Sequence, residues 1–227
     1  MHKRPLLALC GASLTLSLTL AANAFAAGNQ VSVRIEGRSH TLLGTTVVHT
    51  HAGSITKGGA PAGNCPATSA AGALDVATHG RWNGSYSSHY AELSLTSILG
   101  ETWSFSQKKY YWGIWVNDRY ASAGMCQIVL HRGDQVLFAV DSVARHEHPL
   151  GLTAPRRANA RHVFKVRVVS YSDAGAAKPL ARVRIDGAVT NRSGIATITD
   201  KRAGKLTLTA SRTGYIRSAP ATVSVSR

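Results

Sequence analysis

YYWGIWVNDRYASAGMC, residues 110–126, places five aromatic side chains within eleven positions and ends on a cysteine. In YYWGIWV, Tyr111, Gly113 and Trp115 share one face of an extended strand, and Tyr110, Trp112, Ile114 and Val116 share the other. The second set is continuous and apolar, so it is expected to face a core. The first set holds a glycine between two aromatics, a gap where another group could lie. Asn117-Asp118 predicts a tight hairpin, since both residues tolerate positive φ, and Tyr120 returns on the partner strand. Two readings stand open. The aromatics are cross-strand pairs and core filler, or Tyr111, Trp115 and Tyr120 leave an apolar face for a flat ligand or sugar ring.

Other chemistry-bearing groups are sparser. His49 and His51 lie two apart, and His146 and His148 repeat that spacing in RHEHP. Such sets suit zinc or copper, but exposed histidines at strand ends are commonly just tolerated, and no metal and no cofactor is expected. There is no G-x-S-x-G elbow and no carboxylate pattern of a glycosidase, so no catalytic residue is expected and the protein reads as a non-enzyme.

Charge carries more information. Residues 27–148 hold nine Lys and Arg against eight Asp and Glu, whereas 149–227 hold fifteen against three. Lys165 and Arg167 alternate with Phe164, Val166 and Val168, and Arg182 and Arg184 alternate with Val183 and Ile185. If those strands are neighbours, like charges sit opposite each other, which is destabilising. A bound polyanion would offset that. The expected partner is an anionic polymer of the cell envelope or a membrane surface, and the plainer alternative is a solvated basic surface. No nucleic-acid fold signature appears.

The elements that position these groups follow from patterning. The chain opens MHKRPLLALCGASLTLSLTLAANAFAAG: a short basic region, an apolar stretch, then Ala24-Phe25-Ala26. This layout predicts a secretory signal over 1–26, cut after Ala26, and a secreted or extracellular protein associated with the cell envelope. Export leaves Cys65 and Cys126, which in an oxidising compartment most simply pair with each other. Closing a loop of about 60 residues would stabilise the fold by roughly 4 kcal/mol.

The charge step predicts two domains, 27–148 and 149–227, joined through HPLGLTAPRRANAR, a linker or a lead-in strand. In the first, VSVRIEG and HTLLGTTVVHT predict two strands. PATSAAGALDVATHG predicts a short helix capped by Thr68 or Ser69 and ended by Gly80. YAELSLTSILG, ETWSF, YYWGIWV, CQIVL and QVLFAVD predict further strands, hence an α+β domain with a mixed sheet and one short helix. In the second, VFKVRVV, ARVRIDG, GIATIT, KLTLTA and TVSVS predict an all-β sandwich.

LTSILGETWSF, YYWGIWVNDRYASAGMC and LHRGDQVLFAV resemble a domain of unknown function found in secreted bacterial proteins. That domain is itself similar to the C-terminal β-domain of the animal cobalamin carriers, transcobalamin and intrinsic factor. The matching features are Thr96-Ser97 with Gly100, Trp112, Val116-Asn117, Ala123-Gly124 and Gly133-Asp134, and the likeness covers residues 29–141. It implies a β-grasp-like fold and a Cys65–Cys126 bridge. In the animal carriers a helical barrel completes the cobalamin site. This chain has no such barrel, and a half-site would bury far less of a ligand than a tight pocket does. Small-molecule, corrinoid-like capture is therefore the second expectation. KPLARVRIDG, NRSG and TGYIRSAP are similar to immunoglobulin-like or carboxypeptidase-regulatory-like modules, which act as spacers or adhesive units.

Overall fold

A computed structural model describes residues 28–105 and 109–227; the expected signal segment and its cleavage after Ala26 lie outside the described residues. The described chain is mostly strand with one α-helix. Among the described residues no helix is long and apolar enough to cross a membrane.

The first half contains β1 (Gln30–Glu36), β2 (Thr41–His49), α1 (Ala70–Thr78), β3 (Trp82–Ser87), β4 (Glu92–Ile98), β5 (Glu101–Thr102), β6 (Tyr110–Val116), β7 (Arg119–Tyr120) and β8 (Gln135–Ser142). One sheet runs β2-β1-β8-β6-β7, with β1 and β8 parallel and the other pairs antiparallel, so it is mixed. A second runs β3-β4-β5. The helix forms where expected. The Ser69 hydroxyl accepts from the Ala71 N–H, and His79 ends the helix in the left-handed region with Gly80 behind it. Its small residues let it lie close on β1 and β2, with Leu74 fully buried.

CQIVL is not a strand: only Val129 makes an isolated bridge, to Ser69. The carbonyls of Met125 and Ile128 accept from the N–H groups of Ala71 and Ala70. The segment thus caps the first turn of α1, whose N–H groups have no partner inside the helix. Its backbone is committed there and is not available to a ladder. Cys126 is bonded to Cys65, 61 positions away.

The second half contains β9 (His148–Thr153), β10 (Arg157–Asn159), β11 (Val163–Tyr171), β12 (Ala177–Pro179), β13 (Arg184–Ile185), β14 (Ala188–Val189), β15 (Ile195–Thr199), β16 (Gly204–Leu208), β17 (Ala210–Ser211), β18 (Tyr215–Ile216) and β19 (Ala221–Ser226). The sheets are β12-β11-β9-β18 with β15 on β11, then β10-β19-β16 and β14-β13-β17. The junction stretch is therefore built into strands β9 and β10.

Two large apolar clusters form, one from residues 31–140 and one from 150–225. A third joins them: Trp115, Leu137 and Ala139 pack with Ile216. β8 explains this arrangement. QVLFAVDS is apolar on both faces. Val136, Phe138 and Val140 point into the first cluster, and Leu137 and Ala139 point at the second half. A strand with two apolar faces needs cover on both, and β18 supplies the second cover through Ile216.

Candidate ligand groove and arginine cleft

Asn117 and Asp118 both adopt positive φ, and β6 folds onto β7 with Trp115 opposite Tyr120. The expected faces are correct: Tyr110, Trp112, Ile114 and Val116 belong to the first core. The other face differs from expectation. A Cβ on Gly113 would lie 2.7 Å from the Trp115 ring, so that ring fills the gap beside the glycine. Trp115 is fully buried, edge-on to Tyr120 and stacked with His146 at 6.0 Å. It is covered by the second half and takes no part in an exposed ligand face. Sequence could not show this cover, because it comes from Ile216, a hundred positions away.

Tyr111 and Tyr120 remain half-buried, their hydroxyls 3.3 Å apart. With Phe105, Trp112, Leu93 and Met125 they line a groove of about 770 Å³. Its far wall is β4, which β5 pairs only at Ser97 and Ile98. Tyr111 donates to the buried Asp141 carboxylate at 2.7 Å. Burial first, then the hydrogen bonds to Tyr120 and Asp141, push the Tyr111 phenol well above its ordinary range. Burial likewise raises Tyr120. Both phenols therefore stay protonated and serve the groove as neutral hydrogen-bonding groups. Trp112 Nε1 is buried on this wall without an acceptor among the described residues.

Lys165 and Arg167 are exposed on β11 and Arg184 on β13, and Arg182 is exposed in the bend that precedes β13. They do not form one patch. Lys165 and Arg167 stand on β11, opposite Thr197, Ile195 and Thr153. Arg184 is on β13, in a different sheet, opposite Ser211 and Val189. The condition for like charges to oppose each other is not met: β11 carries Lys165 and Arg167, β13 of another sheet carries Arg184, and Arg182 precedes that strand.

Arg182 and Arg184 instead join three arginines that sequence reasoning did not select. Arg38, Arg182, Arg184, Arg212, Tyr215 and Arg217 line a cleft of about 690 Å³ where the two halves meet. Three of the five are fixed by other contacts. Arg38 Nη1 donates to both Glu147 carboxylate oxygens at 3.0 Å, and Arg217 holds Glu36 and the Gly37 carbonyl. Arg212 donates to the Ala181 carbonyl and lies 5.2 Å from the Tyr215 ring. Arg182 and Arg184 have no carboxylate partner among the described residues. The only advance sign was the pair Arg212 and Arg217 in SRTGYIR; nothing marked Arg38 as their neighbour.

The histidine pairs stay separate. His49 ends β2, and His51 bonds the Ala52 carbonyl. His146 and His148 both approach Asp173. No known family model and no curated protein matches the chain.

Proposed function

We propose that this is a secreted, non-catalytic protein that binds an anionic polymer of the cell envelope through the arginine cleft. Its first half is read as β-grasp-like and transcobalamin-like, its second as an immunoglobulin-like sandwich. The observation that carries the reading is the cleft itself: five arginines line it, and Arg182 and Arg184 have no carboxylate partner among the described residues. Arginine suits this role, since its planar fork meets phosphate and carboxylate oxygens in pairs. The pre-oriented Arg38, Arg212 and Arg217 lower the ordering cost of binding. Lys165 and Arg167, on a separate sheet, add only long-range attraction.

The test compares binding of the mature chain to isolated envelope, and to dextran sulfate as a defined probe, across salt concentrations. Exchanging Arg182 and Arg184 together for glutamine is expected to weaken binding about tenfold or more at about 50 mM salt. The slope of log K against log salt is expected to fall by nearly two contacts, on counterion-release scaling borrowed from nucleic acids. The Lys165→Gln/Arg167→Gln pair is expected to change affinity less. Equal losses from both pairs would leave only a diffuse basic surface.

A second reading is small-molecule capture in the aromatic groove. It is favoured by Trp112 Nε1, which has no acceptor among the described residues, and by a volume within the roughly 300–1,000 Å³ of ligand pockets. A corrinoid is the first ligand to try. Saturable quenching of tryptophan emission is expected, weakened by Phe105→Ala and unchanged in the arginine pair. A flat titration with every corrinoid tried would remove that ligand class.

A further inference from the structure

The geometry points to a site for a divalent transition-metal ion, zinc foremost, formed by His146, His148 and Asp173. The three residues come from two separate parts of the chain. His146 and His148 lead into and open β9, two positions apart in extended chain, so their rings fall on one side. Their ring centroids are 5.2 Å apart. Glu147 between them points the other way and is buried against Arg38. Asp173 lies in the turn between β11 and β12, where its carbonyl accepts from the Tyr120 N–H at 3.0 Å. One donor atom from each residue lies within 4.8 Å of the other two.

The two spacings from the carboxylate are close to those of a metal's ligands. Bonds of about 2.0 Å in a tetrahedral site put neighbouring donor atoms about 3.3 Å apart. Asp173 Oδ1 stands 2.9 Å from His146 Nε2 and 3.4 Å from His148 Nδ1. Despite that second distance, the His148 Nδ1 atom is shielded from solvent and makes no hydrogen bond among the described residues, a state that calls for a partner. A metal ion between the three atoms supplies one.

Behind the site, the His146 Nδ1 faces the Asp141 carboxylate at hydrogen-bond distance. Asp141 is itself held by Tyr111 Oη and the N–H groups of Ser142 and Glu147. A carboxylate on the far nitrogen of a ligating imidazole is the usual outer support of a metal site, since it orients the ring and raises its basicity. Two carboxylates in one cluster also offset a dication locally, within a chain of formal net charge +15. Two imidazoles and one carboxylate select zinc, copper or nickel over calcium and magnesium, which prefer all-oxygen shells. A bound ion would clamp the β8–β9 connection to the β11–β12 turn and close the junction of the two halves.

The test is calorimetric titration of the chelator-stripped mature protein with zinc chloride. We expect saturable uptake of one equivalent and a rise in melting temperature that chelator reverses. Magnesium and calcium chloride are expected to give no uptake. His148→Ala and Asp173→Asn are each expected to weaken zinc at least tenfold, and His49→Ala to leave it unchanged. Failure of the unmodified protein to take up zinc would overturn the site, whatever the variants do. So would stoichiometric uptake that survives His148→Ala in a variant whose circular dichroism matches the parent; the cluster would then be a hydrogen-bonded brace only.

Discussion

Replacing Glu36 with alanine is expected to destabilise the protein by about 3–5 kcal/mol, the cost of breaking a buried ion pair by removing one partner. Glu36 is almost wholly buried at the end of β1. Its carboxylate receives Arg34 Nη1 at 2.6 Å, Arg217 at 2.9 and 3.1 Å, and the Thr41 hydroxyl. Burial lowers the Arg34 pKa, and Glu36 opposes that shift. Alanine would leave two guanidinium groups close together with no anion between them. Arg217 comes from the second half, and Arg34 Nη1 also donates to the Arg217 carbonyl. The loss therefore falls on the junction and on the wall of the arginine cleft at once. Urea unfolding checks it by a fall in midpoint. Adding Arg217→Met to Glu36→Ala is expected to restore part of the loss, because it removes one stranded charge. Fully additive losses would mean that the two groups are not coupled and that the junction rests on its apolar contacts alone.

The same junction marks the limit of what sequence could show. Local signals were sufficient for local structure. Asn117-Asp118 specified the β6–β7 turn, Thr68-Ser69 and Gly80 bracketed α1, and alternation in VSVRIEG and VFKVRVV located β1 and β11. The pairing of Cys65 with Cys126 followed from there being two cysteines after the expected signal segment. Failures arose where distant segments decide. CQIVL has the composition of a strand but serves as a helix cap, and that depends on where α1 starts in space. Trp115 alternates like an exposed residue, yet Ile216 covers it. WNGSYS, with its polar and glycine content, gave no strand signal, although its ladder with β4 forms β3. For the candidate sites, sequence supplied Tyr111, Tyr120, Arg182 and Arg184. It could not supply Arg38 or Asp173, whose roles exist only once the two halves are docked. The spacing of His146 and His148 was visible, but the third donor was not.

Exchange of Cys65 and Cys126 together for alanine is expected to cost about 4 kcal/mol, from the chain-entropy relation for a loop of 61 positions. Alanine is the right replacement because both sulfurs are buried, and a serine hydroxyl would need a hydrogen-bond partner there. The loss should exceed that of an ordinary loop closure. Cys126 also holds Met125 and Ile128 where their carbonyls meet the first turn of α1. Freeing it releases the cap as well as the loop, and an unmade helix cap costs about 1 kcal/mol by itself. Reductant on the unmodified protein should reproduce most of the effect in a urea titration. Amide exchange should rise first at Ala70 and Ala71, ahead of the second half, whose core contains neither cysteine. A loss below about 1 kcal/mol would mean that the unfolded chain keeps these segments together unaided. Uniform exchange across both halves would mean instead that the charged and apolar contacts at the junction transmit the defect, tying the stability of the arginine cleft to a bond on the far side of the first core.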